Sequence, residues 1–303
     1  MKSNLAGKNI TMLGCDEREL LLAERLDDLN VNLRLVGFPR CGNLKRATHF
    51  SNPGEAVTNS RALILPMSGT DSQGLITSRM DGERELIDLN RIMPVLNKDT
   101  PILIGVANPV IKQLIIKYRL RLVEMAKDDE IAIFNAIPTA EGAIQVAMEN
   151  SPITIHNSKC LVLGLGRCGA ALTQRLVALG AHVTVGARTT SDLARAVSFN
   201  AKPLHLKRLN DETNFKIIFN TIPAVVLERA YLQRLNTDTL IVDLASTPGG
   251  TDFIAAKELG ILAIHALSLP GKVAPKTAGE ILSRIIPHLL EKLVGEEEDN
   301  HER

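Results

Sequence analysis

Short apolar runs alternate with longer amphipathic stretches along the whole chain, a pattern typical of proteins in which parallel strands alternate with helices. In the first half, the apolar runs predict strands at residues 9–13, 32–37, 62–65, 102–105 and 131–134. The amphipathic stretches predict helices at residues 17–29, 83–96 and 109–119. Apolar runs of this kind favour strands that are covered on both faces of a sheet.

The second half begins like the first, with a strand, a glycine, a helix and a second strand. Its apolar runs predict strands at residues 159–163, 182–185, 203–206, 216–219, 239–243 and 262–265. Six strands are the number that a full dinucleotide-binding sheet contains. Residues 139–151 predict a helix that links the two halves, and residues 277–294 predict a last helix.

The pattern therefore predicts an α/β protein with two Rossmann-like domains, each built on a parallel doubly wound sheet, with a linking helix and a cleft between them. We expect a substrate or partner domain at residues 1–140, completed by the C-terminal helix at residues 277–295. A cofactor-binding domain is expected at residues 141–276. Residues 296–303 are highly charged and are expected to form a frayed tail.

Composition excludes several classes of function. The 303 residues carry a formal net charge of +1, so neither nucleic acid nor a membrane surface is an expected partner. We identify no secretory signal and no apolar segment long enough to span a bilayer, and we expect a cytoplasmic protein. Because no two cysteines have CxxC spacing, free thiols and no metal site are expected for Cys15, Cys41, Cys160 and Cys168.

The strongest motif is a glycine pattern, GxGxxG, that follows one predicted strand and precedes a helix. Gly164 permits the tight turn, Gly166 lets the backbone approach a pyrophosphate, and Gly169 lets the helix pack closely on the strand. Free N–H groups at the helix N-terminus attract the phosphates. We therefore expect a nicotinamide dinucleotide to contact Gly164, Leu165, Gly166, Arg167, Cys168 and Gly169. The first half has only Gly14 at the equivalent place and is not expected to bind a dinucleotide.

The residues after the second strand of this half indicate which dinucleotide binds. An NAD(H) enzyme usually has an acidic residue there, which accepts hydrogen bonds from the ribose hydroxyls. This chain has Ala187, Arg188 and Thr189 instead, and an arginine beside hydroxyl groups suits a 2′-phosphate. NADP(H) is therefore expected to be preferred over NAD(H).

Three later loops follow the carboxyl ends of strands, where open parallel sheets bind their ligands. The first loop is expected to lie beside the ribose, and the other two near the nicotinamide. The cofactor-binding residues predicted in these loops are Asn220, Thr221, Ile222, Pro223, Asp243, Ala245, Ser246 and Val273.

Taken together, these motifs resemble those of the family of dipicolinate synthase A subunits, and the resemblance covers nearly the whole chain. In the second half it is carried by Gly164-Leu-Gly-Arg, Gly186-Ala-Arg, Asn220-Thr-Ile-Pro, Asp243-Leu-Ala-Ser-Thr-Pro-Gly-Gly-Thr-Asp252 and Leu269-Pro-Gly-Lys-Val-Ala-Pro-Lys-Thr-Ala-Gly279. In the first half it is carried by Asp16-Glu-Arg18, Leu65-Pro-Met-Ser-Gly69, Asp129-Glu-Ile-Ala-Ile and Ile137-Pro-Thr-Ala-Glu-Gly142.

The resemblance implies an activity that composition and spacing do not show. It implies that the chain acts with the flavoprotein-like B subunit of dipicolinate synthase to make pyridine-2,6-dicarboxylate from a dihydrodipicolinate-level product of the lysine pathway. It also implies a cytoplasmic location in the mother cell of a spore-forming bacterium. Homo-oligomers of the chain are expected as well.

An aromatising oxidation of this kind needs a held dicarboxylate and a general base. The expected substrate-binding residues are Arg18, after the first strand, and Ser68, Gly69 and Thr70, after the strand at residues 62–65. The catalytic candidates are Glu141, near the start of the linking helix, Asp16 and Lys276. Asp243 is either a further candidate base or a residue that orients its loop, and His265 is a further candidate in the cleft.

Two other functions stay open at this point. The chain has the two-domain plan of an NAD(P)-dependent 2-hydroxyacid or amino-acid dehydrogenase, although we find no convincing catalytic histidine late in the sequence. It is also compatible with a regulatory or scaffolding protein that binds a cofactor while its partner performs the chemistry.

Overall fold

The computed structural model describes residues 4–40, 43–80 and 83–299. The chain divides into two compact units, and the second interrupts the first. One unit comprises Met1–Ala132 and Pro275–Arg303, and the other comprises Ile133–Ala274. The functional roles expected for domains 1–140 and 141–276 stay predictions. Cys41 and the end of the tail, residues 300–303, lie outside the described residues.

The first unit is built on a six-stranded sheet whose strands are all parallel. In chain order its elements are β1 (Asn9–Leu13), α1 (Glu17–Asp28), β2 (Asn32–Val36), β3 (Thr48–His49), α2 (Pro53–Val57), β4 (Ala62–Ile64), β5 (Leu75–Met80), β6 (Glu83–Asp88), α3 (Leu89–Ile92), β7 (Pro101–Ile104), α4 (Pro109–Tyr118) and β8 (Arg121–Glu124). The strand order is β3-β2-β1-β4-β7-β8, while β5 and β6 form a separate antiparallel pair. One face of the sheet packs a core against α2, α3 and α4.

Helix α5 (Asp129–Glu149) leads from the first unit into the second. The second unit then contains β9 (Lys159–Leu163), α6 (Arg167–Ala178), β10 (His182–Ala187), α7 (Thr190–Ser198), β11 (Lys202–His205), β12 (Ile217–Asn220), α8 (Arg229–Leu232), β13 (Leu240–Asp243), α9 (Phe253–Glu258), β14 (Leu262–His265) and α10 (Leu269–Val273). Its six strands are all parallel in the order β11-β10-β9-β12-β13-β14. This is the order of a dinucleotide-binding sheet, with its switch point between β9 and β12.

The sheet of the second unit has a core on each face. Along β9, Cys160 and Val162 belong to a core with α5 and α6, whereas Leu161 and Leu163 belong to a core with α8 and α9. Because both faces are buried, successive residues of the strand are apolar without alternation. The α/β fold class expected from the sequence is therefore confirmed.

Helix α11 (Pro275–Asp299) is the last element and belongs to the first unit. It packs along α1, where a side chain on Gly279 would lie 3.1 Å from the Arg18 backbone. A glycine at this place lets the two helix backbones approach closely.

Two predicted elements are wrong. Residues 131–134, expected as a strand, lie inside α5, and the Asp128 carboxylate caps its first turn by accepting from the Ile131 N–H. A short apolar run does not distinguish a strand from a helix that is buried on several sides. Residues 83–96, expected as one helix, contain β6, the short helix α3 and the 3₁₀ turn Met93–Val95. The alternation that places buried Ile76 and Ile87 opposite each other was the overlooked signal.

Helix α5 also corrects the expectation that no segment could span a bilayer. Within the described part of the chain, its length and apolar composition are sufficient for a membrane span. Its Ala140, Ala143 and Ala147 are fully buried in the core of the second unit. The helix is therefore partly buried in the core of this unit, while its Ile133, Ile137 and Met148 are exposed.

Candidate functional site

The turn after β9 is shaped by three glycines that serve different purposes. Gly164 has a φ of +89°, and a Cβ there would lie 2.5 Å from Thr221 Oγ1. A Cβ on Gly169 would lie 2.1 Å from the Gly164 carbonyl oxygen, so α6 approaches β9 only because this side chain is absent. A Cβ on Gly166 would meet nothing within 4 Å. Gly164 and Gly169 thus serve the fold, while Gly166 leaves free space in front of the helix.

Helix α6 begins at this free space. Gly166 is its N-cap residue, and no side chain caps the helix. The first N–H groups of a helix have no partner within it and carry the positive end of the helix dipole. An uncapped N-terminus behind a bare glycine suits the phosphates of a dinucleotide.

A cavity of about 480 Å³ opens in front of this turn, within the second unit. Thirteen of the predicted cofactor-binding residues line it: Gly164, Leu165, Gly166, Arg167, Cys168, Ala187, Arg188, Thr189, Thr221, Ile222, Pro223, Ala245 and Ser246. Asp192, Leu206 and Leu244 complete the lining and were not identified from the sequence. Apart from Asp192 in α7, the residues come from the carboxyl ends of β9, β10, β11, β12 and β13, which is where this fold binds its ligands.

One wall of the cavity carries both a positive and a negative charge. Arg188 is exposed and forms no hydrogen bond or ion pair with any other described residue. The Asp192 carboxylate lies on the same wall, where it accepts a hydrogen bond from the Thr189 hydroxyl at 2.7 Å and faces Arg195 at 3.6 Å. A first-turn acidic residue after β10 was the sequence signal for Asp192, because such residues favour helix N-termini.

Asp243 and Asn220, both predicted to bind cofactor, are fully buried behind the cavity and do not line it. The Asp243 carboxylate accepts from the Asn220 amide at 3.0 Å and the Ala245 N–H at 3.0 Å. It also accepts from the Gly250 N–H at 2.9 Å and the Thr251 hydroxyl at 2.7 Å. Four donors use the acceptor capacity of the carboxylate, so Asp243 organises its loop.

The remaining predicted cofactor residues serve packing. Gly169 lies behind the turn, as described above. Val273 belongs to α10 and packs against α5, where a side chain on Gly142 would lie 3.1 Å from Val273 Cγ2.

Burial raises the pKa of the Cys160 thiol to about 12, and it raises the pKa of Cys168 against the opposing charge of Arg167. Both thiols therefore stay protonated and unreactive at neutral pH.

In the first unit, Arg18 and Asp16 form a close ion pair at the start of α1. The guanidinium Nε donates to both carboxylate oxygens at 3.1 Å, and a terminal nitrogen donates at 2.6 Å. Arg18 is 7% exposed, whereas the Asp16 side chain is 43% exposed. A substrate carboxylate at Arg18 would therefore share the guanidinium with Asp16.

Glu19 was not identified from the sequence, although it lies at the centre of this cluster and is 2% exposed. Its carboxyl accepts from the Asp16 N–H at 3.1 Å and from the Met67 N–H at 2.9 Å. It thereby joins the start of α1 to the loop that follows β4. The signal in the sequence was the capping-box spacing of Asp16 and Glu19.

The two acidic groups have opposite pKa shifts. Burial raises the pKa of Glu19 to about 8, assisted by a hydrogen bond to Asp16 and its charge, and opposed by Arg18. Burial also raises the pKa of Asp16, but hydrogen bonds from Arg18 and Glu19 outweigh it and bring the pKa to about 2. Asp16 is thus a carboxylate and Glu19 a carboxylic acid at neutral pH, so Asp16 is poorly matched to the work of a general base.

The other substrate candidates differ in their free polar groups. Ser68 is exposed and has no partner among the described residues. The Thr70 hydroxyl donates to the Asp71 carbonyl at 3.1 Å and accepts from the Asn108 amide at 3.0 Å. Gly69 has a φ of +75°, and a Cβ there would lie 2.9 Å from the Val106 carbonyl. Gly69 therefore holds the shape of the loop, and Ser68 is the candidate with a free hydroxyl.

Two catalytic candidates lie on the surface of their units. Glu141 is in the middle of α5 rather than near its start, and its 60% exposed side chain pairs with Arg175 at 3.4 Å. Lys276 is exposed in the first turn of α11, one turn before the glycine that contacts the Arg18 backbone. No group of three or more potential metal ligands occurs in the part of the chain that the structure describes.

Comparison with solved structures first defines the class. The fold is similar to that of two-domain dehydrogenases such as the D-lactate dehydrogenase of Escherichia coli, with a TM-score of 0.65 over 94% of this chain and 97% of that one. At 14% identity this similarity concerns the fold alone. The fold and the glycine turn define a Rossmann-like protein with a dehydrogenase-like fold.

Closer relatives define the family. A model of the N-terminal domain of the dipicolinate synthase A subunit matches residues 9–126. The dipicolinate synthase A subunit of Bacillus subtilis (strain 168) is 36% identical over 299 residues, 97% of this chain and 99% of the relative. The crystal structure of the A subunit from Bacillus halodurans, at 36% identity, covers 94% of this chain and 98% of its own with a TM-score of 0.89. The chain belongs to the family of dipicolinate synthase A subunits, which implies a role in sporulation.

The pKa of Glu19 yields a testable prediction. The raised pKa means that the folded state binds a proton which the unfolded state releases above its ordinary pKa of 4.5. This contribution to stability is fully present below pH 4.5 and is lost as the pH rises to about 8. Asp16 acts in the opposite direction below pH 3.8, where its lowered pKa makes the fold less stable as the pH falls to about 2.

Glu19→Gln removes the loss of stability with rising pH that Glu19 causes. Between pH 5 and pH 9, the free energy of unfolding of the variant should therefore rise relative to that of wild type by up to a few kcal/mol. Urea unfolding at a series of pH values measures the difference. Glu17→Gln, which changes an exposed glutamate of the same helix, is the control. If the free energies of unfolding of Glu19→Gln and wild type differ by the same amount at every pH, Glu19 is ionised in the folded protein.

Proposed function

We propose that the chain is the cofactor-binding component of a dipicolinate synthase that uses NADP(H) in preference to NAD(H). With the B subunit of that enzyme, it oxidises a dihydrodipicolinate-level ring compound from the lysine pathway to pyridine-2,6-dicarboxylate in the cytoplasm of a sporulating cell. The observation that carries the proposal is the open turn at Gly166, beside an uncapped helix, in a member of this family. When bound, NADP+ would supply the hydride acceptor that this oxidation needs.

The residues of the second unit fit a dinucleotide along the whole cavity. Gly164, Leu165, Gly166, Arg167 and Cys168 would hold the pyrophosphate, since they form the turn and the first N–H groups of α6. Ala187, Arg188 and Thr189 would hold the adenosine end, since they follow β10. Thr221, Ile222, Pro223, Ala245 and Ser246 would contact the other half, since they follow β12 and β13.

The residues of the first unit supply groups for an anionic substrate. The Arg18 guanidinium is positively charged, and only some of its N–H groups donate to Asp16. The Ser68 hydroxyl has no partner among the described residues. Lys276 adds a second cation near the start of α11. We propose that these three residues bind the carboxylates of the substrate, because charged donors form the strongest hydrogen bonds to carboxylates. Gly69 and Thr70 hold the loop in place.

NADP(H) preference is proposed because Arg188 has no other partner among the described residues. Asp192 opposes this preference, since a carboxylate on the same wall repels a 2′-phosphate. Its ion pair with Arg195 and its hydrogen bond from Thr189 reduce that repulsion. We expect the attraction of Arg188 for the 2′-phosphate to exceed the repulsion by Asp192, because Arg188 has no other partner among the described residues.

The activity is tested by assaying the purified chain alone and together with the B subunit, supplied with the dihydrodipicolinate-level compound and either NADP+ or NAD+. We expect absorbance of pyridine-2,6-dicarboxylate and of NADPH to rise together, in equal amounts, only when the substrate is present. Turnover of 2-hydroxyacids or amino acids by the chain alone would instead show an ordinary dehydrogenase. Nucleotide binding without turnover in either mixture would show a regulatory role.

Arg188→Ala tests the cofactor preference. Loss of a charge-assisted hydrogen bond should weaken NADPH binding by about tenfold or more while changing NADH binding by less than about twofold. Fluorescence titration of both reduced nucleotides measures the effect. Asp192→Asn is the matched control on the same wall, and its NADPH affinity should be at least that of wild type. Equal losses for NADPH and NADH in Arg188→Ala would contradict the preference.

Gly166→Val tests the pyrophosphate position. Its side chain would enter the free space in front of α6, where the Cβ meets no other atom within 4 Å, so the unfolding midpoint should stay near that of wild type. Nucleotide binding should be lost, since the backbone could no longer approach the phosphates. Titration with NADPH and thermal unfolding are measured on the same sample. A stable variant that binds NADPH like wild type would rule out this turn as the phosphate site.

A further inference from the structure

His265 lies at the end of β14, outside the lining of the cavity, but it contacts the loop that forms one wall. Its Nε2 is 2.8 Å from the Ala245 carbonyl oxygen, and its ring packs against Phe253 with centroids 5.1 Å apart. A carbonyl oxygen only accepts hydrogen bonds, so Nε2 carries the proton and donates it to Ala245. The tautomer of His265 is fixed by this contact.

Ala245 is therefore held at both of its backbone polar groups. Its N–H donates to the buried Asp243 carboxylate at 3.0 Å, and its carbonyl accepts from His265. A planar trans peptide points its C=O and N–H in opposite directions. By holding the Ala245 carbonyl, His265 thus also fixes the direction of the Ser246 N–H, which belongs to the same peptide.

The Ser246 N–H has no hydrogen-bond partner among the described residues, although Ser246 lines the cavity. Backbone N–H groups are normally paired, and a free one beside a cavity is available to a ligand. Ala245 and Ser246 follow β13, on the side of the switch point away from Arg188. In a sheet of this order, that side takes the second mononucleotide, which in a nicotinamide dinucleotide carries a primary carboxamide.

We propose that His265 is a positioning residue for the nicotinamide half of the cofactor. Through the Ala245 carbonyl it holds the Ser246 N–H toward the cavity, where this group donates to the carboxamide oxygen of the nicotinamide. The inference rests on the cofactor assignment above and extends it to a residue outside the cavity. Since His265 does not reach the ligand, it acts only by fixing this peptide.

The test compares two ligands, NADPH and 2′-phosphoadenosine diphosphoribose, which lacks the nicotinamide ring. His265→Phe keeps a ring against Phe253 but has no donor, and His265→Gln keeps a donor without the ring. His265→Phe should weaken NADPH binding by about fivefold to tenfold, as expected for one lost hydrogen bond, and leave the affinity for the ring-free ligand within about twofold. His265→Gln should recover most of the NADPH affinity.

Titration calorimetry measures both affinities, and the unfolding midpoint of each variant is measured beside it. Unchanged NADPH affinity in His265→Phe, or equal losses for both ligands, would overturn the positioning role while leaving the cofactor assignment intact. A wild-type chain that binds neither ligand would instead overturn the cofactor assignment, and the positioning role with it.

Discussion

The carboxylate of Asp243 is the constraint on which the candidate cofactor site depends. It is fully buried, and its four donors are an amide at the end of β12, two backbone N–H groups and a hydroxyl of its own loop. A buried polar group is stable away from water only when its hydrogen bonds are satisfied in this way. Asn220 extends the arrangement, since its side-chain oxygen accepts from the Ile222 N–H at 3.1 Å. Loops after two neighbouring strands are thereby held as one rigid wall.

The two units share a strand order but differ at the turn after their first strand. In the second unit the space in front of Gly166 is open, whereas in the first unit a side chain on Gly14 would lie 2.4 Å from Ile76 of β5. Ile76 of β5 thus occupies the space in front of this turn. The first unit instead presents the cluster of Asp16, Arg18 and Glu19, in which we propose that Arg18 binds a substrate carboxylate. The two units thus share one topology and differ in the loops that follow their strands.

Most of the fold could be predicted from the sequence, because both sheets consist of strands whose apolar runs are bounded by turn residues. The predictions at residues 131–134 and 83–96 were wrong for physical reasons, since a buried helix and a hairpin give patterns that periodicity alone assigns poorly. At the candidate site, the glycine turn and Arg188 could be found because they obey a spacing rule. Glu19 was missed although it stands at capping-box spacing from Asp16, because its importance arises from burial and from its contact with Met67. His265 was identified only as a candidate in the cleft, because its contact with Ala245, a residue distant in sequence, could not be predicted.

The interruption of the first unit by the second has a consequence for the order in which the protein is made. Residues 133–274 form a continuous segment and are complete when the ribosome has still to add the last helix. The first unit lacks α11, which packs on α1 beside Gly279, until residues 275–299 have also been made. Domains generally fold as units during synthesis. The nascent chain can therefore complete its inner segment before α11 packs on α1 in the outer one.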